Sequence, residues 1–158
     1  VTWTADGRET TERFDGCIIT TPVQPALAMF PQMHPVQAEF YRNTTYISAL
    51  DAHLVLRKKP DSPATYIMVP SCENLDLCGV IVDHLKARKR VPEGMGMMTV
   101  FSRDEWCKRN MDQPDQVVLD QIFANLKPYY GDLSGEVVDY ELGRWPVVVP
   151  KYRAEDLS

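Results

Sequence analysis

The chain has 158 residues, 44% of them hydrophobic and 25% charged, which is enough apolar material for a domain with its own core. Its formal net charge of −5 argues against a nucleic-acid partner, because phosphate recognition depends on clustered Lys and Arg. No apolar run approaches the ~20 residues that span a bilayer and no signal peptide is evident, so a cytoplasmic protein is expected. The one basic run, Lys86-Ala87-Arg88-Lys89-Arg90, precedes a Pro-Gly turn (Val91 to Gly94) and reads as a solvated loop. Cys17, Cys72, Cys78 and Cys107 lack the paired spacing and the histidines of a zinc site. They are expected to be free or buried thiols, and no metal is expected. The chain opens at Val1 with residues that already read as a strand, so a fragment of a longer protein is expected.

In chain order, Val1-Thr2-Trp3-Thr4 is β-branched and aromatic, and Asp6-Gly7 is a strong hairpin signal. Glu9 to Phe14 returns as a second strand. Cys17-Ile18-Ile19-Thr20-Thr21 has the apolar character of a buried strand and is ended by Pro22. Short helices are expected over Gln24–Phe30 and, opened by Pro35, over Val36–Arg42.

Tyr46 to Lys58 is the longest strand candidate. Tyr46, Ser48, Leu50, Ala52, Leu54 and Leu56 share one face, which should meet the core. Ile47, Ala49, Asp51, His53, Val55 and Arg57 share the other, which faces solvent or a cavity. After the loop Lys59 to Pro63, strands are expected at Tyr66–Val69, Cys78–Val82 and Met95–Phe101. Asp115–Lys127 carries an apolar stripe at helical spacing (Val118, Leu119, Ile122, Phe123, Leu126), with Asp112 and Pro114 at its start and Pro128 and Gly131 at its end. A last strand runs from Glu136 to Trp145 or beyond. The class is α+β: a mostly antiparallel or mixed β-sheet with one long helix and short helices packed on it.

The residues alone show no self-sufficient catalytic constellation. There is no GxSxG, no GxGxxG and no GxxxxGK[ST]. Asp51 and His53, two apart on one strand face, could form an acid/base or ligand-contacting pair, although a solvent-facing polar stripe is the simpler reading. His34 and His84 read as structural or exposed. Met95, Met97 and Met98 read as core filling, and Trp3 and Trp106 as packing residues, with Trp145 the tryptophan nearest to a site role.

Three stretches in order resemble a known family. Phe14-Asp15-Gly16-Cys17-Ile18-Ile19-Thr20-Thr21-Pro22, after the hairpin, is similar to its D-x-V-I-x-A/T-x-P strand. The order helix, helix, long strand from Pro25 to Lys58, with Tyr46-Ile47-Ser48 opening the strand, is similar to its exit into a substrate domain. Arg144-Trp145-Pro146-Val147-Val148-Val149-Pro150-Lys151-Tyr152 resembles its R-W-x-x-x-x-P-x-Y segment, although Ala154-Glu155 stand where Gly-His usually follows. The family is the flavin-containing amine oxidase superfamily, which includes monoamine oxidases, protoporphyrinogen oxidases and phytoene-desaturase-like enzymes.

The resemblance implies an α+β substrate-binding region, residues 23–158, preceded by residues 1–22 of an FAD-binding domain. It implies FAD in the full-length parent, with Thr20, Thr21 and Pro22 near the cofactor. The substrate-lining candidates are Ile47, Ala49, Asp51, His53, Trp145 and Tyr152, facing a small-molecule substrate; the catalytic residue is unassigned. With the dinucleotide fingerprint and the glycine-rich flavin segment missing, FAD is not expected on this chain alone, which should be inactive. Strand edges that lost their neighbours are expected to pair in a homo-oligomer. The alternative is a non-enzymatic α+β module that binds a small apolar ligand or a protein partner.

Overall fold

Asp6 and Gly7 both adopt positive φ, 51° and 73°, the backbone hand that a two-residue hairpin turn requires. They join β1 (Thr2–Ala5) to β2 (Arg8–Thr11) in register Thr2↔Thr11 to Ala5↔Arg8. The expected hairpin is therefore present, with a second strand that stops before Phe14. It is followed by α1 (Val23–Met29) and α2 (Pro35–Asn43). Pro35 sits in the first turn of α2, where its missing N–H costs nothing, and His34 Nδ1 accepts the Val36 N–H at 3.3 Å. These elements belong to one compact unit, Val1–Thr45; a second begins at Tyr46. The computed structural model describes residues 1–86, 89 and 91–151.

Two expectations for the first unit are corrected. Cys17 to Thr21 is not a strand, and Ile18 is 89% exposed. The run has strand-forming side chains, but a strand also needs a neighbour for its N–H and C=O groups, and none is bonded to it among the described residues. Trp3 is 40% exposed rather than packed, since the hairpin forms its own two-stranded sheet.

The second unit is built on a five-stranded sheet in the order β4-β5-β6-β3-β7. In chain order its elements are β3 (Thr45–Leu56), β4 (Tyr66–Met68), β5 (Leu77–Val82), α3 (Asp83–Lys86), β6 (Gly96–Ser102), α4 (Asp104–Asn110), α5 (Asp115–Tyr130) and β7 (Val137–Lys151). The β3–β6, β4–β5 and β5–β6 pairs are antiparallel. Arg57 N–H donates to Glu136 O and the Ser48 hydroxyl donates to Pro146 O, so β7 also runs antiparallel to β3. The fold class is α+β, as the sequence predicts.

Alternation along β3 decides where the core lies. Leu50, Ala52, Leu54 and Leu56 are buried and join Val80, Val82, Met98 and Val100 from the neighbouring strands. Trp106 and Cys107 from α4, and Val118, Leu119, Ile122 and Leu126 from α5, close the same cluster. Both helices therefore cover one face of the sheet, and the face bearing Asp51 and His53 is left on the other side.

The sequence missed α3 and α4. His84 lies in α3 and is buried, which fits the structural of its two expected readings. The signal for α4 was present in its charges: Asp104 and Glu105 in the first turn, Lys108 and Arg109 in the last, each matched to the helix dipole. Pro128 does not end α5, which continues to Tyr130. A proline one turn from the C-terminus forfeits one hydrogen bond, and the buried Leu126 and the partly buried Tyr130 hold that turn on the core. Gly131 makes the stop, with φ 73° and its N–H on Lys127 O. β7 runs through Pro146 and Pro150, which an edge strand tolerates because half of its N–H groups meet no ladder partner. Of the basic run, Ala87, Arg88 and Arg90 lie outside the described residues, as does Tyr152. No helix among the described residues is long and apolar enough to cross a membrane.

Candidate functional site

The face of the sheet away from the helices carries a shallow concavity of about 570 Å³. Ile47 and Ala49 of β3, Tyr66 of β4, Ile81 of β5, Phe101 of β6 and the loop residue Leu75 form its apolar wall. Arg103, Asp104 and Glu105, at the start of α4, give it a charged rim. A mostly apolar wall with a few polar groups at one side is the usual composition of a small-molecule site.

Next to that wall the sheet assembles a chain of polar side chains from four elements. Trp145 Nε1 of β7 donates to Asp51 Oδ1 at 2.8 Å. Asp51 Oδ2 lies 2.8 Å from His53 Nε2. His53 Nδ1 lies 3.0 Å from Thr99 Oγ1, its direct cross-strand neighbour on β6. The Thr99 hydroxyl donates to Asp83 Oδ2 of α3 at 2.7 Å. Asp51, Thr99 and Asp83 are buried, whereas the His53 side chain is 36% exposed. Gly143 makes the Trp145–Asp51 contact sterically possible: a Cβ there would stand 2.6 Å from Trp145 Nε1 and 2.7 Å from Asp51 Oδ1.

The structure thus separates the expected lining residues into two groups. Ile47 and Ala49 lie in the concavity wall. Asp51, His53 and Trp145 form the hydrogen-bonded chain beside it, so Asp51 and His53 are more than a solvent-facing stripe. Thr20, Thr21 and Pro22 are exposed in the irregular segment before α1. Sequence reasoning did not find Thr99, Asp83 or Gly143. Asp83 and Thr99 stand 32 and 48 residues from Asp51, and no local spacing signals their meeting.

The Arg144-Trp145 pair divides between the two sides of the sheet. Arg144 donates to the carbonyls of Asn110, Met111 and Gln113 and pairs with Asp115, tying the turn between α4 and α5 to β7. Its neighbour Trp145 points to the opposite face and Asp51.

The family model for flavin containing amine oxidoreductases matches residues 1–155. The chain belongs to the flavin containing amine oxidoreductase family. A solved structure described as "Putative protoporphyrinogen oxidase" from Exiguobacterium sp. 255-15 is similar in fold, with a TM-score of 0.71 at 15% identity, over 96% of this chain and 34% of that one. The chain therefore spans about a third of the length of that relative. No curated protein matches it significantly.

The family implies FAD in the parent, and the helix after Thr20-Thr21-Pro22 does not by itself fit the pyrophosphate of a dinucleotide. α1, the helix that follows Thr20-Thr21-Pro22, has seven residues, and prolines at positions 22 and 25 remove N–H groups from the end where a pyrophosphate would be held.

Charge at the rim of the concavity centres on Asp104. Burial alone would raise its carboxyl. Hydrogen bonds from Lys151, from the Ser48 N–H at 2.8 Å and from Lys108 at 3.0 Å outweigh burial and hold it at about 2. The folded value lies below the ordinary 3.8, so this contribution to stability is complete above pH ~4 and is lost as pH falls toward 2. Asp104→Asn is expected to flatten the acid limb of the stability curve between pH 4 and 2, read by urea unfolding at each pH. An unchanged limb would contradict it. The four thiols are free. Burial pushes Cys107 up to about 11 despite the Leu50 N–H donated to its Sγ, so at neutral pH it is a packed thiol and not a nucleophile.

Proposed function

We propose that this chain is the substrate-binding region of an FAD-dependent oxidoreductase of the amine oxidase type, inactive in isolation. In this reading residues 1–22 belong with the parent's FAD-binding domain, with Thr20, Thr21 and Pro22 near the cofactor, and residues 23–158 form the substrate-binding domain. The observation that carries the reading is the apolar concavity on the face of the sheet away from α4 and α5, walled by Ile47 and Ala49 and bordered by the Asp51–His53–Trp145 chain. A sheet with helices on one side needs something other than its own core to meet the other side, and a substrate cavity is one such use. Asp51, His53, Trp145 and Tyr152 would supply the polar and aromatic contacts. The family supplies the redox chemistry through flavin; the part assigned to this chain is to bind and orient the molecule that flavin oxidises.

The test is direct. Titration of the chain with FAD is expected to leave flavin fluorescence unchanged, with no turnover of amines added to the mixture. Tight flavin binding would overturn the assignment as a cofactor-less substrate region.

A further inference from the structure

We propose that the concavity on the face of the sheet away from α4 and α5 receives an uncharged, apolar small molecule, and that the charged side chains at its rim serve the fold rather than the ligand. Strand register builds the floor. Phe101 of β6 stands opposite Gly79 of β5, and Thr99, two residues back on the same face, stands opposite Ile81. Ile81 in turn stands opposite Tyr66 of β4. Directly opposed residues share a face, so Phe101, Ile81 and Tyr66 gather on one side of the sheet. Gly79 adds no side chain among them. A Cβ there would stand 3.4 Å from the Tyr66 ring, so the ring lies directly over the glycine. The pairing of β5 with β6 slips by one residue between Leu77 and Gly79, and the half-buried Cys78 joins the lining at that slip. The floor is therefore aromatic, aliphatic and glycine surface.

Charge is confined to the rim, and each rim charge has a partner within the chain. The Arg103 guanidinium donates to the carbonyl oxygens of Asn74 and Val69. Asp104 accepts from the Ser48 N–H, from Lys108 and from Lys151. Glu105 accepts from Lys108 at 3.0 Å. A charged ligand laid on this floor would give up water without meeting an unpaired counter-charge, which is costly. An uncharged apolar ligand gives up only water that apolar surface is better without. The concavity, about 570 Å³, has room for a molecule of several rings. That this molecule is the substrate of the parent enzyme rests on the reading of the chain as a substrate-binding region; the preference for an uncharged ligand rests on the side chains alone.

Cys78 provides the readout, because it lies in the lining, whereas Cys17 and Cys72 are exposed outside it and Cys107 is buried. The chain is alkylated with iodoacetamide near neutral pH in the presence of naphthalenemethanol, naphthylmethylamine or naphthoate, which are one ring system in neutral, cationic and anionic form. Each cysteine is followed by peptide mass spectrometry. The neutral compound is expected to protect Cys78 at a concentration about tenfold lower than either ion, with Cys17 and Cys72 unprotected. Amide shifts of Gly79 and Phe101 in the 15N-labelled chain give the same comparison independently of thiol reactivity. Equal or stronger binding of either ion, or no selective response at Cys78, Gly79 and Phe101, would overturn the proposal. Leu75→Glu alters a wall residue that is 78% exposed and places a carboxylate there without a partner. It is expected to shift the preference to naphthylmethylamine, and an unchanged preference for the neutral compound would refute the role given to charge. Failure of the substrate-region reading would appear as flavin binding and leave these preferences as they are.

Discussion

Leu54→Ala is expected to destabilise the sheet unit by about 3 kcal/mol, within the ~2–5 kcal/mol seen when a buried leucine is truncated. Leu54 has no exposed surface. It lies on β3, which has β6 on one side and β7 on the other, so its surroundings are held by two ladders and cannot collapse freely into the vacated space. It faces the cluster completed by α4 and α5. Val55→Ala, one residue along on the opposite face, is the control. Val55 is only partly buried, and its loss is expected to cost less than ~1.5 kcal/mol. Urea unfolding of both variants gives the comparison. Equal losses would mean that the core is not confined to the helix-covered face.

Gly143→Ala is expected to break the Trp145–Asp51 contact. The added methyl would stand 2.6 Å from the indole nitrogen and 2.7 and 2.8 Å from the two carboxylate oxygens, closer than carbon approaches such atoms. The indole, 55% exposed, has solvent to move into, whereas the buried Asp51 carboxylate does not, so Trp145 yields. The cost is about 1–3 kcal/mol, because a buried carboxylate loses a hydrogen-bond donor. Trp145 emission is expected to shift to longer wavelength, with Trp145→Phe identifying its share of the signal. Gly135→Ala, where an added methyl meets nothing within 4 Å, is expected to change neither stability nor emission. Unchanged emission in Gly143→Ala would refute the packing of glycine, indole and carboxylate.

The sequence alone determined those features that one strand, one turn or one helix settles locally. Asp6-Gly7 specified a hairpin because two consecutive positive φ values suit few other residues. The alternation of β3 specified Leu50, Ala52, Leu54 and Leu56 as its core face, because the period of a strand is two whatever it packs against, whereas Tyr46 and Ser48 on the same face are only partly buried and Asp51 on the other face is buried. The apolar stripe of α5 specified its buried face in the same way.

Features that need a partner remained undecided until the chain folded. Cys17 to Thr21 has strand-forming side chains and no strand, because a ladder takes two segments. Pro128 looked like a helix end, and the core contact of the last turn kept the helix going. The site shows the same division. Asp51 and His53 were visible as a pair because they stand two apart on one strand face. Trp145 was visible through its resemblance to a family segment. That the indole reaches Asp51 was decided by Gly143, and that His53 is held on both nitrogens was decided by Thr99 and Asp83. Those residues come from β7, β6 and α3, and only antiparallel pairing across the sheet brings them within hydrogen-bond distance, because register between distant strands is a property of the whole sheet and not of any segment in it.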